Sequence, residues 1–211
     1  DRIAAIGDLG GMNGRVEIDA RGLAVAPGFI NSLSWATESI IEDATAESDM
    51  RQGVTLEVFG EGLSMGPLNA SMRRDLRLRR LGSRYPLDWN TLGEYLEFLE
   101  KRGVGVNVAS LVGATTVRIH ELGHADRSPN ARELTRMQGL VRQAMLEGAL
   151  GVGSSLIYAP AAFAAPAELQ ALALAAAEYG GGYFSHVRSE STQLLTAIDE
   201  LIDIARATRE H

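Results

Sequence analysis

The sequence predicts an α/β fold in which helices cover a parallel sheet. From residue 23 onward, short apolar runs typical of buried strands alternate with longer segments whose apolar residues recur at helical spacing. Five such strand–helix pairs follow one another without a break. Strands that alternate with helices in this way form parallel sheets, because each helix carries the chain back to the start of the next strand.

The predicted strands are short and rich in β-branched, aromatic or glycine residues: 23–30, 54–59, 103–112, 150–154 and 182–186. The predicted helices place their apolar residues on one stripe: 37–52, 88–102, 130–147, 166–179 and 192–208. Asp88 is the expected N-cap of the second helix, and Pro166 opens the fourth. Residues 60–87 are predicted to form a long loop with an arginine-rich middle.

This alternation predicts part of a TIM-like (β/α)8 barrel with about five βα units present. A closed barrel takes about 250 residues, and five units over roughly 190 residues scale to about 300 for eight. The pattern alone also fits an open doubly wound sheet, which is the alternative. Before these units, residues 2–7 and 15–20 alternate on either side of a glycine-rich turn and predict two antiparallel strands. We therefore divide the chain into residues 1–22, the remnant of a small β-domain, and residues 23–211, the N-terminal part of the barrel.

Composition narrows the classes of function. The net charge of −7 disfavours a nucleic-acid partner. The absence of cysteine excludes disulfides and thiolate metal ligands within the chain. No apolar run reaches the length of a membrane span, and the first residues lack the pattern of a signal segment, so we expect no membrane partner and a cytoplasmic protein. Composition leaves the oligomeric state open.

In a parallel barrel, polar site residues follow the carboxyl ends of the strands. Glu61 follows the second predicted strand between two glycines, and a carboxylate so placed can approach a metal ion closely. The alternative for Glu61 is a solvated glutamate that caps backbone N–H groups. His186 ends the fifth strand, where it is either a metal ligand or a structural histidine.

Two further strand-end residues are candidates for substrate binding. Tyr158 follows the fourth strand, where it either donates to a substrate carboxylate or packs the loop. Arg188 follows the fifth strand, where it pairs with an anionic substrate or with Glu190. After the third strand, His120 and His124 are expected to lie at the surface in a polar loop.

Four segments together resemble the amidohydrolase superfamily, in its N-acyl-D-amino-acid deacylase (D-aminoacylase) branch. They are residues 26–31 (APGFIN), 52–55 (QGVT), 151–160 (GVGSSLIYAP) and 182–190 (GYFSHVRSE). The resemblance implies a distorted (β/α)8 barrel with a small β-domain built from both chain ends. It also implies a zinc-dependent hydrolase that cleaves the linear amide bond of N-acyl-D-amino acids, so the expected cofactor is zinc and the expected substrate is a small molecule.

The same resemblance implies roles for single residues. Glu61 stands where the family usually has a cysteine metal ligand, and His186 stands at a histidine ligand. Leu33 and Trp35 stand where the branch has a His-X-His metal pair, and neither side chain can bind a metal. Ala114 replaces a histidine that the family often has after the third strand.

The resemblance places the remaining essential groups beyond His211: a second metal-binding histidine and an aspartate general base. The catalytic residues of this chain are therefore unknown, and we expect the fragment to be inactive alone. Two alternatives stay open because ligand positions are replaced. One is a catalytically impaired barrel that acts as a binding or structural protein, and the other is a hydrolase of a cyclic amide or small peptide.

Overall fold

Two parallel sheets follow one another along the chain in the computed structural model, which describes residues 2–79 and 85–209. The first sheet contains β1 (Phe29–Asn31), β2 (Val54–Phe59) and β3 (Asn107–Ser110) in that order. The second contains β4 (Val112–Gly113), β5 (Gly151–Ser155) and β6 (Gly182–His186). Every strand pair is parallel. The predicted α/β fold with parallel sheets is thus confirmed.

The third predicted strand passes from one sheet to the other. Leu111 alone separates β3 from β4, and its N–H donates to the carbonyl of Phe59 on β2. On the other side, the N–H of Leu150 donates to the carbonyl of Ser110. The backbone ladder therefore continues across the break, and strand order follows chain order throughout the described residues.

Helices connect and cover these strands. They are α1 (Ser39–Glu42), α2 (Glu47–Met50), α3 (Ala70–Arg79), α4 (Leu92–Arg102), α5 (Ala114–Leu122), α6 (Ala131–Leu146), α7 (Pro166–Ala177) and α8 (Leu194–Arg209), with a 3-10 turn at Ala161–Phe163. The starts of α4 and α6 follow from capping boxes, in which Thr91 pairs with Glu94 and Asn130 pairs with Glu133. The sequence placed the first of these caps three residues too early, at Asp88.

The core lies between the strands and the covering helices. Val112 and Val152 on the strands are fully buried, as are Val141 on α6 and Leu169 and Leu172 on α7. Burial of each such side chain contributes about 1.5–3 kcal/mol to stability. In contrast, Phe29 of β1 and Phe184 of β6 are largely exposed.

The described structure corrects several predicted elements. Residues 2–28 form turns, bends and irregular segments but no strand, and an isolated two-stranded hairpin is marginal in water. The first predicted strand is correspondingly reduced to β1. The predicted helix at 37–52 is two short helices, broken at Ala46, which has a positive φ of 47°.

The long predicted loop and the segment after the third strand each contain a helix. α3 occupies part of residues 60–87, and its arginine-rich sequence has few apolar residues to reveal a helical period. Residues 80–84 of that predicted loop lie outside the described residues. α5 begins directly after β4 without a capping side chain, so the usual start signal was missing. Among the described residues, no helix is both long and apolar enough to cross a membrane.

Candidate metal centre

Glu61 is held at the carboxyl end of β2 by the two glycines that flank it. Gly60 and Gly62 both have positive φ, at 95° and 81°. A Cβ at position 60 would lie 2.1 Å from the carbonyl oxygen of Leu111, and one at position 62 would lie 2.7 Å from Cβ of Ser155. At positions 60 and 62 the backbone therefore passes too close to Leu111 and Ser155 for a residue other than glycine.

Neighbouring elements fix the loop that carries Glu61. The N–H of Thr115, in the first turn of α5, donates to the carbonyl of Gly62 at 3.0 Å. Further along, the buried indole of Trp89 donates to the carbonyl of Met65 at 2.7 Å and packs against the ring of Tyr95. These contacts help to order the loop that carries Glu61.

The structure brings Glu61 and His186 together at the strand ends. Oε2 of Glu61 lies 4.0 Å from Nδ1 of His186, and both side chains are mostly buried. His186 ends β6 opposite Ser155 in the β5–β6 pairing. The hydroxyl of Ser155 donates a 3.0 Å hydrogen bond to the same Oε2 of Glu61. Sequence patterns do not single out Ser155, because a serine at a strand end carries no specific signal.

The other ring nitrogen of His186 is buried without a hydrogen bond. Its Nε2 lies 3.5 Å from Oε1 of Glu190, which satisfies the distance for an ion pair but does not form a hydrogen bond. The imidazole and the Tyr158 ring make a T-shaped contact with 5.7 Å between their centroids. A buried imidazole nitrogen that lacks a hydrogen-bond partner is unusual in a purely structural histidine.

These donors fit part of a zinc site. Donor atoms bound at about 2.0–2.2 Å to a tetrahedral zinc ion lie about 3.3–3.6 Å from each other, and the 4.0 Å between Oε2 of Glu61 and Nδ1 of His186 is slightly wider. Catalytic zinc sites normally take three protein ligands. Within residues 2–79 and 85–209, no group of three or more histidine, cysteine, aspartate or glutamate side chains is arranged to hold a metal ion. The described residues therefore offer two candidate donors, fewer than the three protein ligands of a usual catalytic zinc site.

Arg188 makes structural contacts. Its guanidinium forms a paired contact with Glu200 of α8, at 2.8–2.9 Å, and also donates to the carbonyls of Ala162 and Ala164 at 2.8 Å. Glu200 raises the pKa of Arg188. The partner is thus Glu200 and not the neighbouring Glu190, since α8 brings Glu200 alongside the loop after β6. The predicted role of Arg188 in substrate binding stays a prediction.

The remaining predicted positions have varied surroundings. Tyr158, Leu33 and Trp35 are about half exposed, and Tyr158 is the one of the three in ring contact with His186. His124 is exposed, as expected, whereas His120 is partly buried on α5, where Nδ1 lies 3.1 Å from Glu121. The polar loop expected for His120 is wrong, because α5 extends through it.

Residues 62–66 have the Gly-X-Ser-X-Gly spacing of a serine-hydrolase nucleophile. Ser64 is buried there, accepts from the N–H of Gly113 and donates to the carbonyl of Gly66. Its hydroxyl is therefore engaged by backbone groups, and no described histidine hydrogen-bonds to it. The pattern does not indicate a nucleophile in this fold.

Two cavities adjoin the centre. The larger, of about 600 Å³, is lined in part by Glu61, and the smaller, of about 430 Å³, is lined by Ser155 and Tyr158. Trp35 and Leu63 line both cavities and lie between them. Space for a small molecule is therefore present beside Glu61 and beside Ser155 and Tyr158.

The fold and the strand-end residues define an α/β protein that gathers polar groups at the carboxyl ends of parallel strands. No protein-family model matches the sequence. The chain is similar to a D-aminoacylase from Alcaligenes xylosoxydans xylosoxydans, with 33% identity over 208 residues, which is 98% of this chain and 43% of that protein.

Solved structures give the same result. A D-aminoacylase with a binuclear metal centre matches with a TM-score of 0.85 and 32% identity, over 99% of this chain and 44% of that one. An N-acyl-D-glutamate deacylase from Bordetella bronchiseptica, complexed with zinc and a phosphonate inhibitor, matches with a TM-score of 0.84 and 33% identity, over 98% of this chain and 44% of that one. The chain is thus homologous to the D-aminoacylases and N-acyl-D-amino-acid deacylases of the amidohydrolases. It spans less than half the length of these relatives.

Proposed function

We propose that this chain is part of a zinc-dependent hydrolase of the linear amide bond in N-acyl-D-amino acids. The observation that carries the proposal is the convergence of Glu61 and His186 to 4.0 Å at the strand ends. The relatives described above, one of them complexed with zinc and a mimic of the tetrahedral intermediate, support it. The proposed substrate is a small molecule, and the activity belongs to the protein that contains this chain with its remaining ligands and general base.

The proposed architecture is a partial (β/α)8 barrel. Strand order that follows chain order, with every pair parallel, supports a barrel over a doubly wound sheet, in which the order reverses at a switch point. We extend the proposal to the domain division. Residues 23–211 supply the first barrel units, and residues 1–22 belong to a separate small domain.

In this proposal, Glu61 and His186 are the residues that would hold the metal. Ser155 orients the carboxylate, and Glu190 lies beside the second imidazole nitrogen, where it can fix the tautomer. Bound zinc supplies a polarised substrate carbonyl and a water whose pKa falls to about 7. Tyr158, which overhangs His186, contacts the bound substrate.

The test is metal content and amide hydrolysis by the full protein. His186→Ala is expected to remove zinc and hydrolysis together, and Glu61→Ala to weaken both, whereas His120→Ala should keep both because His120 pairs with Glu121. Zinc is counted by atomic emission, and hydrolysis is compared for N-acetyl-D- and N-acetyl-L-amino acids. Retention of zinc by His186→Ala would overturn the metal site. Zinc binding without cleavage of either series would overturn the deacylase assignment.

A second candidate function follows from the small number of side chains that could bind a metal ion. Because the described residues form no group of three metal ligands, a barrel that binds a small molecule without hydrolysing it is the alternative. It predicts a protein that holds no zinc but still binds N-acyl amino acids. Equilibrium dialysis with N-acetyl-D-amino acids separates the two candidates.

A further inference from the structure

Positive charge is concentrated on one face of α3. Residues 73–84 contain six arginines and one acidic residue, although the whole chain carries a net charge of −7. Arg73, Arg74 and Arg77 are the arginines of this group whose side chains the structure describes. Because residues three or four apart share one side of a helix, these three form a single surface, the arginine face of α3.

Carboxylates leave most of this charge uncompensated. Among the described residues, no ion pair joins the arginine face to an acidic side chain. The N–H groups of Asn90 and Thr91 lower the pKa of Glu94, and Arg73 adds a smaller effect at longer range. The arginine face therefore presents a positive potential to the solvent.

The arginine face combines an anchored side chain with an exposed one. Nη2 of Arg77 donates to the carbonyl of Leu87 at 3.1 Å, which holds this guanidinium beside the helix. Arg73 is partly buried, whereas Arg74 is exposed. The charge of Arg74 can therefore be changed with little risk to the fold, since no described side-chain contact depends on it.

The same helix forms a wall of the larger cavity. Met72, Asp75 and Leu76 line the cavity, and they lie next to the arginines along α3. A helix with its side chains is about 10–12 Å across, so the arginine charges lie within about that distance of the cavity wall. Because the Debye length is about 10 Å at 0.1 M salt and about 30 Å at 0.01 M, the field of the arginine face reaches the cavity at low salt.

An anionic substrate meets repulsion elsewhere on this chain. The proposed substrate carries a carboxylate, and the net charge of −7 disfavours the approach of any anion. Asp75 and Glu61, which line the larger cavity, oppose an anion there as well. A surface of uncompensated arginines beside the cavity offsets this repulsion during the approach.

We propose that the arginine face of α3 attracts the carboxylate of the approaching substrate and guides it toward the larger cavity. The inference rests on the proposed function and adds how an anionic substrate reaches the same site. The face acts through the field of its charges, so it changes the rate of encounter and takes no part in the chemical step.

Quenching of Trp35 fluorescence tests the attraction without catalysis. Trp35 is exposed and lines the same cavity, whereas Trp89 is buried. Iodide, an anion, and acrylamide, which is neutral, are titrated into the full protein, and the signal of Trp35 is the difference from a Trp35→Phe variant. At about 0.01 M ionic strength, we expect Arg74→Glu to weaken iodide quenching of Trp35 about threefold and to leave acrylamide quenching unchanged.

A second arginine and a change of salt supply the controls. Arg132 is exposed on α6, forms no described ion pair and lines neither cavity, so Arg132→Glu should leave iodide quenching of Trp35 unchanged. At about 1 M salt, where the Debye length is about 3 Å, the effect of Arg74→Glu should vanish. Equal iodide quenching in Arg74→Glu and the wild type at low salt, or an equal loss with acrylamide, would overturn the proposal.

Steady-state kinetics then connects the attraction with the substrate. In Arg74→Glu, kcat/KM for N-acetyl-D-alanine should fall about threefold at low salt, with kcat unchanged and the difference lost at high salt. A fall in kcat that persists at high salt would contradict guidance by charge. If the full protein cleaves no N-acyl amino acid but Arg74→Glu still weakens iodide quenching, the proposed function fails and the arginine face stands as a surface that attracts anions.

Discussion

The hydroxyl of Ser155 donates a 3.0 Å hydrogen bond to Oε2 of Glu61, the same oxygen that lies 4.0 Å from His186. The bond joins residues that are 94 positions apart and ties the end of β5 to the loop after β2. Because it restricts the carboxylate that faces the imidazole, Ser155 is expected to control how well the pair binds a metal ion.

Ser155→Ala should therefore weaken zinc binding about 10–100-fold, the usual cost of losing a residue that orients a metal ligand. Zinc affinity is measured by competition with a chromogenic chelator. Ser154→Ala is the control, because Ser154 bonds to Tyr183 and Ser185 and makes no described contact with Glu61. Similar zinc affinities for the two variants would contradict the role of Ser155.

Gly62→Ala should disrupt the centre by moving the Glu61 loop. The added methyl meets Ser155 at 2.7 Å, and φ is positive, so we expect a loss of stability above the roughly 1–3 kcal/mol of backbone strain alone. Gly148→Ala supplies the strain without the collision, because φ there is +100° and nothing lies within 4 Å. Urea unfolding compares the two. If they lose equal stability, the close approach to β5 is unimportant.

Variants of the Arg188–Glu200 pair can distinguish whether Arg188 anchors the loop after β6 or binds the substrate. If Arg188 anchors the loop, Arg188→Ala and Glu200→Gln should lower stability by similar amounts and change KM similarly. If Arg188 binds the substrate carboxylate, Arg188→Ala alone should raise KM. Steady-state kinetics and thermal unfolding of both variants, with the double variant, distinguish these outcomes.

Arg118 and Glu168 form a buried ion pair between α5 and α7, with 2.6 Å between Nη1 and Oε2. Burial raises the pKa of Glu168, and Arg118 opposes that shift. Arg118→Ala would leave the carboxyl without its partner in the interior and should cost about 3–5 kcal/mol. Lys101→Ala, at an exposed pair with Glu97, should cost about 0–1 kcal/mol. Chemical unfolding that gave equal losses would contradict this difference.

Glu133 should contribute to loss of stability in acid. Arg127 and the N–H of Asn130 hold its pKa at about 2, below the usual 4.5. Between these values the unfolded chain binds a proton that the folded chain does not, so stability falls as pH falls through this window. Glu133→Gln removes this contribution, and its urea midpoint should therefore fall less than that of the wild type between pH 5 and pH 3. An equal fall of the urea midpoint in both proteins would exclude this contribution of Glu133.

Sequence patterns predicted the fold class because strand–helix alternation is a local signal. The strands at 54–59 and 182–186 agree with the structure residue for residue, since β-branched, aromatic and glycine residues mark them. α3 and α5 escaped prediction because one has few apolar residues and the other lacks a capping side chain. The two strands predicted before residue 21 depended on partners that a local pattern cannot supply.

The closeness of Glu61 and His186 at the candidate centre follows in outline from the sequence. Parallel strands end on one edge, so Glu61 and His186 were expected to meet, and the structure brings them to 4.0 Å. The hydrogen bond from Ser155 depends on the β5–β6 register and on the close packing of Gly62, neither of which single positions reveal. Likewise, only the placement of α8 decides that Glu200 pairs with Arg188.

The glycines beside Glu61 take up the backbone conformations that the turn requires, so the side chain at position 61 is not needed for them. Gly60 and Gly62 supply the unusual backbone angles, whereas Glu61 itself is not among the described non-glycine residues with positive φ. A residue other than glycine or proline at position 61 therefore needs no left-handed backbone conformation. The donor atom offered to an ion can be exchanged, from oxygen to sulfur or nitrogen, while the scaffold stays the same. If Glu61 binds a metal as proposed, a single substitution at position 61 would change the donor atom and with it the metal that the site prefers.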